Sequence, residues 1–174
     1  MTETSNPVAF TPERLTQVKE IIERYPAGKQ KSALLPVLHL AQEQWGWVSS
    51  EVMDYVASIL KIEPIEVYEV ATFYSQYYTE PVGKYVLEVC HTGPCALRGA
   101  DEIINYIGNR LGIKKGETTP DGLFTLKGVE CLAACGSAPM MQCGLNYHEH
   151  LTEQSVDTLL EEFKKESKVR RPFC

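Results

Sequence analysis

The chain has 174 residues, of which 44% are hydrophobic, and it carries a formal net charge of -6. This size and composition fit one globular domain or two small ones. The acidic balance argues against a nucleic-acid binder, the apolar runs are too short for a membrane span, and the polar N-terminus predicts no secretory signal. We therefore expect a protein of the bacterial cytoplasm whose partners are other proteins.

The beginning of the chain shows the three- and four-residue apolar spacing of amphipathic helices. Thr11 is predicted to cap the first helix, because a hydroxyl cap followed by Pro12 is a typical helix start. The segment 26–28 ends this helix. A second helix is predicted from about Lys31 to Trp45, and Pro36 should either kink it or mark its true start.

Two further helices are predicted before residue 80. Ser50 is expected to cap the third, and the fourth begins near Glu63 and Pro64. Four helices with short connections predict an α-helical bundle. Five aromatic residues lie towards its end: Tyr68, Phe73, Tyr74, Tyr77 and Tyr78. Aromatic side chains are enriched in interface cores, so a partner could dock here, although the same helical spacing also fits an ordinary core.

Beyond a hinge at 81–83 the pattern changes from helical to mixed. Residues 84–89 have the β-branched and aromatic content of a strand, which ends at Cys90. A helix is predicted over 99–111, and a second strand over 123–129.

The remaining segments complete a small α/β domain. Residues 139–143 and 147–150 are predicted as short paired strands joined by a turn. Thr152 is expected to cap a final helix whose last turns carry Lys164, Lys165 and Lys168, where cations suit the helix dipole. The order β-α-β-β-α is that of a small thioredoxin-like domain.

Four of the six cysteines form two close pairs, Cys90 with Cys95 and Cys131 with Cys135, in the pattern C-x4-C-x35-C-x3-C. In a reducing cytosol, clustered cysteines more often bind metal or do redox chemistry than form structural disulfides. If the two loops meet, four thiolates could hold an iron–sulfur cluster or zinc. The spacing favours a [2Fe–2S] cluster and leaves a structural zinc site open.

Other sites fit the pattern less well. Arg98 stands where a plant-type ferredoxin has its third cysteine, and no second histidine accompanies His91 as a Rieske site requires. Neither cysteine pair has the C-x-x-C spacing of a dithiol oxidoreductase. Dinucleotide and phosphate-loop motifs are missing from the sequence, so we expect this chain alone to bind neither NADH nor flavin.

The cysteine spacing resembles that of the thioredoxin-like [2Fe–2S] subunit of bacterial NADH–quinone oxidoreductase (respiratory complex I), the E-type subunit family. Further matching segments are 70–75, 83–85, 116–122, 129–132 and 138–139. The resemblance spans roughly residues 15 to 165. One departure is Gly144-Leu145, where the family usually carries Asn-Asp.

This resemblance implies an α+β protein, in which an N-terminal α-helical bundle precedes a thioredoxin-like α/β [2Fe–2S] ferredoxin domain. The expected organisation is a flexible N-terminus (1–10), a helical docking domain (11–80), the [2Fe–2S] domain (84–168) and a C-terminal tail (169–174). The implied cluster ligands are Cys90, Cys95, Cys131 and Cys135. Cys143 is expected to be a buried small apolar residue, and Cys174 a tail residue.

The resemblance also implies a function, namely electron transfer within an NADH dehydrogenase, with no turnover by this chain alone. A partner flavoprotein subunit would bind FMN and NADH, and other peripheral-arm subunits would be neighbours. The chain would lie on the cytoplasmic side of the inner membrane through the complex, without inserting into it. An equivalent subunit of a soluble NAD-linked hydrogenase or formate dehydrogenase is the alternative.

Overall fold

A computed structural model describes residues 8–166. The chain divides into two compact units, with the division between Pro81 and Val82. Among the described residues, no helix combines the length and the apolar character that crossing a membrane requires.

In the described part of the first unit, all regular secondary structure is helical. This unit contains α1 (Pro12–Glu23), α2 (Leu34–Trp45), α3 (Ser50–Leu60) and α4 (Pro64–Phe73), with a short 3-10 turn at Gln30–Ala33 before α2. Val18, Leu38 and Val56, which come from α1, α2 and α3, are fully buried. The predicted four-helix organisation is therefore present.

The first two helix starts follow from local chemistry. The backbone N–H of Arg14 donates to Thr11 Oγ1 at 3.3 Å, so Thr11 caps α1 as predicted. Pro36 lies in the first turn of α2, where a backbone N–H has no partner within the helix and its loss costs little. Pro36 thus marks the start of the helix and does not kink it.

The third helix start differs by one residue from the prediction. Ser49 is the cap of α3, because its backbone is extended and its Oγ accepts from the N–H of Val52 at 3.3 Å. Ser50 is already the first helical residue. At the fourth start, Glu63 and Glu66 form a reciprocal capping box.

The aromatic residues of the first unit divide into two groups. Tyr77 and Tyr78 are buried, and the Tyr77 hydroxyl donates to the Leu35 carbonyl at 2.8 Å. Burial raises the pKa of Tyr77 to about 12. Tyr68 and Phe73 are exposed, Phe73 by 80%. The stretch is therefore partly core and partly surface.

The second unit is an α/β layer structure. Its elements are β1 (Tyr85–Cys90), α5 (Pro94–Leu97), α6 (Ala100–Leu111), β2 (Phe124–Val129), β3 (Met141–Cys143), β4 (Asn146–His148) and α7 (Glu153–Glu166). The sheet order is β2-β1-β3-β4. Strand β1 runs parallel to β2 and antiparallel to β3, and β4 runs antiparallel to β3. The four predicted strands and the two predicted helices are all present, but with both short strands counted their order is β-α-β-β-β-α, one strand more than the expected β-α-β-β-α. The single-turn helix α5 is an addition that the sequence did not predict.

The core of the second unit joins the sheet to its two long helices. All six residues of β1 are buried, as expected for a strand in the middle of a sheet. Ile107 of α6 and Phe163 of α7 pack with the sheet residues, and the Tyr85 and Phe163 rings stack at 4.8 Å. The N–H of Ser155 donates to Thr152 Oγ1 at 3.1 Å, so Thr152 caps α7 as predicted.

Candidate metal centre

The loops that carry the two cysteine pairs leave the sheet at the same end of its strands. Cys90 is the last residue of β1 and pairs in register with Val129, the last residue of β2. Cys131 follows two residues after Val129. Parallel strands have their carboxyl ends on the same side of the sheet, so both loops start there. Cys90 and Cys131 are nevertheless 41 positions apart in the sequence.

The first pair lies in a tight and buried turn. Gly93 has φ 45° and ψ -120°, a conformation that a residue with a Cβ rarely adopts. It leads directly into α5, which carries Cys95, and the N–H of Cys95 donates to the Thr92 carbonyl at 3.1 Å. Cys90 and Cys95 are each 2% exposed. This turn therefore holds two shielded thiols beside each other.

The second pair lies at the surface. Cys131 and Cys135 are both exposed, and their Sγ atoms are 3.9 Å apart. Between them Ala133 adopts the left-handed conformation with φ 61°, and its backbone N–H donates to Cys131 Sγ at 3.3 Å. The loop thus presents two neighbouring thiols to solvent.

Packing connects the two loops. Leu132 and Ala134, which flank the centre of the second loop, pack against the buried group that contains Cys90 and Cys95. The N–H of Cys90 donates to the Met140 carbonyl at 3.2 Å. The loop after β2 therefore covers the buried thiols.

Backbone donors set the ionisation of the buried thiols. Burial acts to raise the pKa of Cys90, but hydrogen bonds from the backbone of Thr92 and Leu132, together with those from the side chains of Cys95 and Thr92, lower that pKa below its usual value. Burial, followed by the hydrogen bond with Cys90, raises the pKa of Cys95 to about 11. The pKa values of the two buried thiols therefore shift in opposite directions from the ordinary value.

Charge also couples the two pairs. The hydrogen bond with Cys131 and the charge of that thiol raise the pKa of Cys135, and the charge of Cys90 raises it further. The charge of Cys135 in turn raises the pKa of Cys95. The structure therefore places the four predicted thiols within electrostatic reach of one another, as two pairs. In the described part of the chain, no three His, Cys, Asp or Glu side chains surround a single point.

The donor set fits an iron–sulfur cluster. Soft thiolates select iron–sulfur clusters or zinc over hard cations. Backbone N–H groups of Thr92, Leu132, Ala133 and Met140 hydrogen-bond these sulfurs. Such donors offset the negative charge of a buried cluster and influence its potential. The sequence could not reveal them, because their direction depends on loop conformation.

The other residues considered in the sequence analysis are not part of the four-cysteine donor set. His91 is half-buried, and its ring lies 3.0 Å from the position that a Cβ on Gly128 would occupy. Arg98 is exposed at the end of α5. Cys143 is fully buried in β3, as expected. Cys174 lies outside the described residues.

Comparison with known proteins identifies the family to which this chain belongs. The family described as "Thioredoxin-like [2Fe-2S] ferredoxin" matches residues 18–164. The chain belongs to this family, as the cysteine spacing and the surrounding segments predicted.

Individual relatives show which members of the family this chain is similar to. Over 156 residues the chain is 44% identical to the E-type subunit of the NADH-quinone oxidoreductase of Rickettsia typhi, covering 89% of this chain and 92% of that protein. Over 159 residues it is 47% identical to "NADH dehydrogenase [ubiquinone] flavoprotein 2, mitochondrial" of Dictyostelium discoideum, covering 91% of this chain but 64% of the relative. The predicted resemblance to the E-type subunit family is therefore confirmed.

A solved structure supports the fold. A chain of an NAD+-reducing [NiFe]-hydrogenase in the air-oxidized state superposes with a TM-score of 0.67, at 18% identity, over 79% of this chain and 23% of that one. At this identity the likeness concerns the fold alone. Together with the family match, it agrees with the predicted α+β class.

Proposed function

We propose that this chain is an electron-transfer subunit of an NADH–quinone oxidoreductase and that it holds one [2Fe–2S] cluster. The proposed ligands are Cys90, Cys95, Cys131 and Cys135. The observation that supports this proposal is that two thiol pairs lie on loops leaving the same end of the sheet, in a chain of the thioredoxin-like [2Fe–2S] family.

The arrangement in pairs suits a two-iron centre. Four cysteines ligate a [2Fe–2S] cluster, and two of them serve each tetrahedral iron, so two close pairs supply what is needed. With four thiolates the oxidised cluster has a formal charge of about -2. The backbone donors directed at the sulfurs offset this charge, and the small residues Ala133, Ala134 and Gly136 leave room at the second loop.

The chain's contribution to electron transfer is ligation, burial and exposure. When bound, the cluster supplies the capacity to accept one electron at a time, whereas a flavin takes a hydride. The first pair is shielded from water and the second faces solvent. A partner flavoprotein subunit that holds FMN and NADH would meet the exposed side, and this chain by itself would not turn over NADH.

The relatives favour a respiratory host. Curated relatives at 42–47% identity are named as subunits of NADH–quinone oxidoreductases or of a mitochondrial NADH dehydrogenase. The likeness to the hydrogenase concerns the fold and does not favour the alternative host. In such a complex the chain would lie with the peripheral subunits, on the cytoplasmic side of the inner membrane.

Metal analysis tests the ligands. The anaerobically purified chain should contain two irons and two acid-labile sulfides and should show an EPR signal after dithionite reduction. Serine at any of the four proposed ligands should strongly reduce the iron content, because an alcohol is a poor ligand for this soft site. Cys143→Ser and Cys174→Ser are the matched controls, and per folded chain both should retain the two irons and the signal.

Three outcomes would contradict parts of the proposal. Full iron occupancy in Cys131→Ser would remove that residue from the ligand set. A colourless protein that binds zinc alone would replace electron transfer by a structural role. NADH oxidation by the isolated, cluster-loaded chain would contradict the assignment of NADH and FMN to a partner.

A further inference from the structure

The loop after β2 is anchored on the far side of the sheet. Strands β2 and β4 lie at opposite edges of the four-stranded sheet. The Tyr147 hydroxyl of β4 nevertheless donates to the Leu132 carbonyl, in the loop that leaves β2, at 2.8 Å. The loop that carries Cys131 and Cys135 therefore crosses the end of the sheet, and Tyr147 holds it there.

One peptide group connects this anchor to a proposed ligand. The Leu132 carbonyl, which accepts from Tyr147, and the Ala133 N–H, which donates to Cys131 Sγ at 3.3 Å, belong to the same peptide unit. A peptide unit is planar, so fixing the direction of its carbonyl also fixes the direction of its N–H. A carbonyl that accepts a hydrogen bond also polarises its unit and strengthens the N–H as a donor.

The local backbone needs such an anchor. Ala133 has φ 61°, and the left-handed conformation costs a non-glycine residue about 1–2 kcal/mol. A residue persists in this conformation only when the surrounding structure holds it there. The hydrogen bond from Tyr147 is a contact of this kind, on the carbonyl directly before Ala133.

We propose that Tyr147 is a positioning residue that sets the reduction potential of the cluster by orienting the Leu132–Ala133 peptide towards Cys131. The inference rests on the proposed function, since it takes Cys131 as a cluster ligand. Reduction adds negative charge to the cluster, so an N–H donor to a ligand sulfur stabilises the reduced state more than the oxidised state. A weaker donor makes the potential more negative.

Tyr147 is suited to a selective test. Its side chain is 49% exposed, and its backbone is held by pairing with Gln142 of β3. Tyr147→Phe removes the hydroxyl and keeps the ring, so the sheet and any contact made by the ring remain. Tyr106→Phe is the matched control, because it removes a hydroxyl that donates to Asp157 at 3.0 Å in the same unit.

The measurement is the midpoint potential of the loaded chain, from a redox titration followed by EPR and visible circular dichroism. Tyr147→Phe should retain two irons per chain and titrate at a more negative potential than the unmodified chain. Tyr106→Phe should titrate with the unmodified chain. In the cluster-free chain, amide exchange at Ala133 should be faster in Tyr147→Phe, which reports the looser peptide without reference to the cluster.

The outcomes separate this inference from the proposed function. An unchanged potential in Tyr147→Phe at full iron content overturns the role of Tyr147 and leaves the ligand assignment intact. Loss of the cluster from a variant that still folds also overturns it, because the tyrosine would then be needed for binding and not for tuning. A chain of unmodified sequence that holds no iron and sulfide overturns the proposed function itself.

Discussion

Single residues decide whether the loops can bring their sulfurs together. Cysteine supplies the ligand atom, but the turn between Cys90 and Cys95 requires Gly93 at φ 45°. A Cβ at Gly93 would meet nothing within 4 Å, so the requirement is for backbone conformation and not for space. Because this turn positions both buried thiols, we expect Gly93 to contribute to the site through its backbone conformation.

A pair of alanine substitutions tests this requirement. Gly93→Ala should destabilise the cluster-free chain by about 1–2 kcal/mol, the cost of a disfavoured positive φ. Gly136→Ala is the control in the other loop, because its Cβ is equally unobstructed and no left-handed φ is needed. It should have little effect or stabilise slightly. Urea unfolding followed by far-ultraviolet circular dichroism measures both, and equal stabilities would contradict the argument.

Helix ends show how closely local sequence determines an element. A threonine before an apolar-periodic segment predicted the starts of α1 and α7 at Thr11 and Thr152, with Pro12 as a further signal at α1, and both caps are present. At α3 two serines are adjacent, and sequence chemistry could not distinguish them. The extended backbone of Ser49 makes it the cap. Helix α5 was not predicted because four residues are too few to show a period.

The adjacent serines provide a prediction at this scale. Ser49→Ala should lower the free energy of unfolding of the helical unit by about 1 kcal/mol, the usual cost of losing an N-cap hydroxyl. Ser50→Ala should cost much less, because the capping bond to the Val52 N–H comes from Ser49. Tryptophan fluorescence during urea unfolding is the measurement, since Trp45 and Trp47 lie in this unit. A larger loss of unfolding free energy in Ser50→Ala than in Ser49→Ala would indicate that Ser50 is the N-cap.

At the scale of the whole molecule, the chain separates its helical unit from its cysteine-bearing unit. The two tryptophans precede residue 81, and the four free cysteines follow it. Fluorescence therefore reports on the first unit, and the visible circular dichroism of a cluster would report on the second. This distribution makes the two units separately observable.

Removal of the cluster should destabilise one unit selectively. A group that binds only the folded state stabilises it by about 2.7 kcal/mol at a hundred times its dissociation constant, and the proposed ligands all lie in the second unit. The cluster-free chain should therefore unfold its second unit at a lower temperature, while the fluorescence transition of the first unit stays in place. Equal shifts of both transitions would contradict the expectation that the two units respond separately to loss of the cluster.

The sequence by itself determined the helical first half, the positions of the strands and of the two long helices in the second, and the four cysteines in two pairs. These features depend on local patterns of apolar spacing, turn residues and ligand type. Only the tertiary structure decided that Cys90 and Cys95 are buried while Cys131 and Cys135 are exposed, and that Tyr147 reaches Leu132. Those contacts join residues distant in the chain, and they depend on strand order, register and backbone direction, which no local pattern encodes.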